Sequence, residues 1–149
     1  MLSWIILQYK VIEMTEKELY FAAESAMGKA YAPYSGYFVG AALLCKNGKI
    51  YTGCNVENAS YPAGCCAERA AVFSAVANGE RDFVSIMIVG GKNGEIEDYA
   101  MPCGICRQVL SEFCGADFTV YVAKSPEDIR EYRLSHLIPF SFDKSKLGE

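Results

Sequence analysis

The apolar positions of the chain change period several times, and each change marks an element. Leu19, Ala22, Ala23, Ala26 and Ala30 recur at helical spacing, which predicts a helix over 15–31. Thr15 and Glu18 stand three apart, as in a capping box at a helix start, and Pro33 stands as its stop. "YFVGAALLCKNGKIYTGCN" (37–55) holds two apolar, strand-prone runs about Lys46-Asn47-Gly48, and so predicts a hairpin. Residues 56–64 read as loop. Residues 66–78 read as a helix with small packing residues, ended by Gly79. "FVSIMIVGG" (83–91) is nearly unbroken apolar sequence, the signature of a strand buried on both faces. After a loop at 92–101, Pro102 opens a helix at 103–114. A strand at 118–123, a weaker one near 129–133 and a short helix at 135–138, with Ser135 as its cap, complete the order. That order, α-β-β-α-β-α-β-(β-α), predicts an α/β fold: a three-layer α/β/α sandwich with a mixed central sheet.

Composition narrows the functional classes. The 149 residues, 52% hydrophobic and 21% charged, suit one domain with a substantial core. Residues 14–149 are read as that domain. Residues 1–13 are read as an N-terminal extension of unknown role, because Met14 has the look of a natural beginning. The opening "MLSWIILQYKVIEM" lacks basic residues ahead of its apolar run and is shorter than the ~20 residues of a membrane span. A net charge of −4 argues against nucleic acid as a partner, since phosphate binding needs a basic surface. A small molecule in a pocket is the expected ligand.

Seven cysteines, at 45, 54, 65, 66, 103, 106 and 114, cannot all pair within one chain. With no convincing signal peptide, a reducing cytoplasm is expected, where Cys-x-x-Cys reads as metal-binding or redox. Cys66, Cys103 and Cys106 each fall near a predicted helix start, where the helix dipole favours a thiolate. Three thiolates on one Zn²⁺ leave a fourth position for water, the catalytic arrangement. Glu68, two residues after Cys66, is placed to move that water's protons without binding the metal. Arg69, one turn from Cys66, and Arg107, next to Cys106, are expected to donate to the sulfurs and draw off negative charge. Other readings stand beside this one: buried structural thiols, a structural zinc with Cys65 as fourth ligand, or a redox pair at 103 and 106. Cys45, Cys54 and Cys114 read as core, Cys65 as a packed thiol, and His136 as a surface or capping residue.

The motifs Cys66-Ala67-Glu68 and Pro102-Cys103-Gly104-Ile105-Cys106 match a zinc nucleobase-deaminase signature in its three-cysteine form. With "YAPYSGYFVGAALL" and "GCNVENASY" in the same order, the chain over about 15–142 resembles the small homotetrameric three-cysteine cytidine deaminases. The resemblance implies one zinc per chain, a nucleoside substrate, no membrane, and active sites shared between four subunits. It implies hydrolytic replacement of the 4-amino group of cytidine or deoxycytidine in pyrimidine salvage, with Glu68 moving protons. Asn55 and Glu57 are then the pair that grips the ribose, and the Ala67 amide contacts the base carbonyl. Tyr37 stands where the family usually has a phenylalanine against the pyrimidine, and Phe142 resembles the aromatic that reaches a neighbouring subunit's site. Two rivals remain: a deaminase of a related aminopyrimidine such as blasticidin S, and a non-catalytic zinc-stabilised binding module.

Overall fold

The computed structural model describes residues 16–148, so the N-terminal extension and the Thr15 cap lie outside the described residues. Nine elements are named here: α1 (16–27), β1 (Tyr37–Cys45), β2 (Ile50–Cys54), α2 (Ala67–Ala77), β3 (Phe83–Lys92), α3 (Gly104–Phe113), β4 (Thr119–Ser125), β5 (Asp128–Arg133) and α4 (Leu134–Leu137). Short 3₁₀ turns occur at Tyr61–Ala63 and Lys144–Leu147. The five strands form one sheet in the order β2-β1-β3-β4-β5. β3 and β4 are parallel, with α3 in their crossover; the other neighbours are antiparallel. The sheet is mixed, as the element order implies.

Side-chain alternation along the strands sorts the core into two layers. Ala41, Leu43, Ile86, Ile88, Val120 and Val122 pack with Ala67, Ala71 and Val72 of α2 and Leu110 of α3. Ala42, Met87, Val89 and Ala123 pack with Leu19, Ala23 and Met27 of α1. The result is the α/β/α sandwich, with α2 and α3 sharing a face. Two glycines set how closely the helices approach. A Cβ on Gly40 would stand 1.9 Å from the Ala23 carbonyl oxygen of α1, and one on Gly53 2.4 Å from the Ala67 oxygen and Ala71 nitrogen of α2.

Two boundaries shift from the sequence reading. α1 ends at residue 27, not 31. Lys29 and Ala30 donate to the carbonyls three residues back, which tightens the last turn. The chain then turns outward so that Tyr31 can bridge Val56. Tertiary pairing, not Pro33, therefore stops the helix. α4 begins at Leu134 with Arg133 at its cap position, and no side chain caps it. Ser135 lies inside the helix, its amide donating to the Ala116 carbonyl. Gly79, by contrast, does sit in the left-handed conformation after α2.

Candidate active site

Two helix starts meet on one face of the sheet. Cys66 is the N-cap residue of α2, and Cys103 is the N-cap residue of α3. Cys106 lies in the first turn of α3 and is fully buried. The Cys66 and Cys103 Sγ atoms are 3.8 Å apart, those of Cys103 and Cys106 3.6 Å, and all three lie within 4.8 Å of one another. Sulfurs around a tetrahedral zinc with bonds of about 2.3 Å stand about 3.8 Å apart. The donor set and its spacing thus fit a zinc ion, and no disulfide competes, since all seven cysteines are free. Cys65 instead directs its thiol to the Cys66 carbonyl oxygen at 3.5 Å.

The electrostatics favour a thiolate. Arg69 donates from Nη2 to Cys66 Sγ at 3.5 Å, and its Nε is buried without a partner. Hydrogen bonding from the Cys106 thiol, outweighing the cost of burial, and donation from Arg69 and Cys103 pull the Cys66 thiol down to about 5. Cys106 shifts the opposite way, raised chiefly by its bond to Cys66 and by burial. Three thiols this close cannot ionise independently; a cation is what would let all three lose their protons. Glu68 is buried in the first turn of α2. Burial is the main cause that pushes its carboxyl up to about 7, with the charge at Cys66 adding to it. Such a group holds or gives up a proton near neutrality.

Arg107 departs from expectation. Its Nε donates to the Pro102 carbonyl at 2.8 Å and its Nη1 to the Leu137 carbonyl at 2.7 Å. It ties the approach to α3 to the end of α4 and does not point its bonds at sulfur.

A cavity of about 450 Å³ opens beside Cys66 and Arg69, lined also by Tyr34, Ser35, Asn55, Glu57, Tyr61 and Cys65. Its floor comes from local pairing: Val56 and Cys65 exchange both backbone hydrogen bonds, and Tyr31 pairs with Val56 from the other side. The Asn55 amide spans to β1, its Oδ1 accepting from Val39 N–H at 2.9 Å and its Nδ2 donating to the Tyr37 carbonyl at 2.8 Å. Glu57 Oε1 accepts from the Tyr34 and Ser35 amides, both at 3.0 Å. Hydrogen bonds at Ser35 hold its carboxyl below the usual range. Tyr37 opens β1 with a partly exposed ring, and burial, Asp98 and Glu68 raise its phenol. Ala67 is buried at the first position of α2, where an amide has no acceptor within the helix. Phe142 does not line this cavity: its ring is exposed, and its carbonyl accepts from Gln108 Nε2 at 2.8 Å. Tyr34, Ser35 and Tyr61 line the cavity without having been singled out by sequence; the available signals were the aromatic run "YAPYSGY" for the first two and "SYP" for Tyr61.

An α/β/α sandwich with three thiols at two helix starts and a buried acid beside them defines a metal-dependent hydrolase centre. Known proteins specify it further. Residues 14–123 match the family model described as the cytidine and deoxycytidylate deaminase zinc-binding region. A cytidine deaminase of Sporosarcina psychrophila is 42% identical over 135 residues, covering 91% of this chain and 96% of that one. The crystal structure of cytidine deaminase from Burkholderia pseudomallei superposes with a TM-score of 0.77 at 45% identity, over 84% of this chain and 97% of that one. A blasticidin-S deaminase of Bacillus cereus is more distant, at 29% identity over 113 residues. The chain belongs to the zinc-dependent cytidine and deoxycytidylate deaminase family.

Proposed function

We propose that this enzyme hydrolyses cytidine and deoxycytidine to uridine and deoxyuridine with release of ammonia, in pyrimidine salvage. The observation that carries the reading is a buried glutamate in the first turn of α2, two residues after one member of a three-sulfur cluster. Cys66, Cys103 and Cys106 would hold the zinc ion, which would supply Lewis acidity toward water near neutral pH.

The residues of the chain do the rest. Glu68 takes the proton from the attacking water, delivers it to the ring nitrogen next to C4, and shuttles a second proton to the departing amine. The Ala67 amide donates to the base carbonyl, and the Tyr37 ring packs on the pyrimidine. Beyond their bonds to the backbone, Glu57 keeps one carboxylate oxygen and Asn55 one amide hydrogen, and these face the sugar hydroxyls. A nucleoside needs such a sugar grip, which favours cytidine over a blasticidin-type substrate. Arg69 offsets the net negative charge of three thiolates on one divalent ion. Residues 14–149 act as one catalytic domain, in the cytoplasm, within a homotetramer in which Phe142 reaches the neighbouring site. Among the described residues, no helix is long and apolar enough to cross a membrane.

Glu68→Gln tests the assignment. It keeps the side-chain shape and removes the proton shuttle. Full zinc content and an unchanged melting temperature with turnover down by about 10²-fold or more are expected. Turnover within a few-fold of the parent overturns the role of Glu68.

A further inference from the structure

One lysine outside the cavity, Lys92, hydrogen-bonds to a residue that lines it. The segment between α1 and β1 gives Tyr34 and Ser35 to the cavity lining. Its shape depends on the Ser35 peptide. Glu57 accepts the Ser35 amide, and Lys92 Nζ, at the end of β3, donates to the Ser35 carbonyl. Ser35 Oγ in turn accepts from the Tyr37 amide at 3.0 Å. The neighbouring Gly36 is in the left-handed conformation, its carbonyl accepting from Asn93 N–H at 2.7 Å. Lys92 pairs with Tyr37 in the β1–β3 register, so the sheet fixes where its side chain starts. A Cβ on Gly36 would lie 3.5 Å from Lys92 Nζ, which shows how closely the lysine follows the turn.

The consequences reach the cavity at two places. The Tyr34 ring, carried by the same turn, meets the Tyr61 ring edge-on at 5.9 Å, and both line the cavity. The Glu57 carboxylate, pinned by the Tyr34 and Ser35 amides, lines it too. We propose that Lys92 is a positioning residue of the nucleoside site: by holding the Ser35 carbonyl it fixes the Glu57 carboxylate and the Tyr34–Tyr61 wall before substrate arrives. A wall set in advance spares the ligand the cost of ordering it on binding. Lys92 itself touches no reacting atom, so its effect falls on binding and not on the chemical step. This inference rests on the nucleoside reading of the cavity.

The test uses the full-length, zinc-loaded protein, with uridine binding by calorimetry alongside cytidine kinetics. Lys92→Met should weaken uridine binding and raise KM about fivefold, with kcat per zinc unchanged to within about twofold. Lys92→Arg, which keeps a donor, should restore most of the loss. On a Glu57→Gln background, Lys92→Met should add little, because the two residues brace the same peptide. A merely structural lysine would lower the active fraction and the melting temperature while leaving KM and uridine affinity alone; that result overturns the inference. So do strictly additive effects with Glu57→Gln. If the parent binds uridine but leaves cytidine intact, the deaminase reading fails, while the uridine affinities still decide the role of Lys92. If the parent neither binds uridine nor converts cytidine, both fall.

Discussion

The three-sulfur cluster and the buried acid near it were legible because their spacing is local. Cys66 and Glu68 share one helix start, and Cys103 and Cys106 another, so chain geometry alone brings each pair within reach. Helical geometry also explains why one arginine met its expected partner and the other did not. Arg69 is three residues after Cys66, one turn up the same face, and its bond to sulfur follows. Arg107 follows Cys106 directly, about 100° around the helix, and finds carbonyls instead. Asn55 and Glu57 were legible only through the resemblance carried by "GCNVENASY". Their backbone partners, 16 to 23 residues earlier, depend on tertiary pairing and left no sequence signal. Arg69→Gln should therefore release zinc faster to a chelator and lower activity about tenfold or more. Equal zinc retention and equal activity would remove Arg69 from the account.

At the scale of elements, type and order were readable and ends were not. Period and composition identified β3 as a strand covered on both sides, and its side chains divide between the two core layers. The end of α1 was misread because Ala30 fits the helical pattern while the bridge from Tyr31 to Val56 diverts the chain. The start of α4 was misread because Ser135 is a good cap in isolation, yet β5 runs directly into Leu134. The contact that places the site, α2 on β2 at Gly53, also has no local signal beyond the glycine itself. Gly53→Ala would force backbone apart from 2.4 Å. It should cost about 1–3 kcal/mol in stability, read by denaturation of the zinc-loaded protein. It should also lower turnover, because α2 carries Cys66 and Glu68. An unaltered melting temperature would show that the approach is looser than described.

For the whole molecule, the layering explains why the site forms at all. α2 and α3 share one face of the sheet, so their N-termini can converge on a single ion; on opposite faces they could not. The same region exposes Met101, Ile105, Phe140 and Phe142. Apolar surface of this kind beside a site favours burial in an assembly. Sedimentation of the holoenzyme should give four times the chain mass, whereas a fully active monomer would refute the shared-site arrangement. The most direct test of the central claim is ultraviolet absorbance of cytidine incubated with purified protein of known zinc content. With about one zinc per chain, the cytosine band should give way to that of uracil. Zinc-replete protein that leaves cytidine intact would contradict the account, and would turn attention to a blasticidin-type substrate or a non-catalytic module.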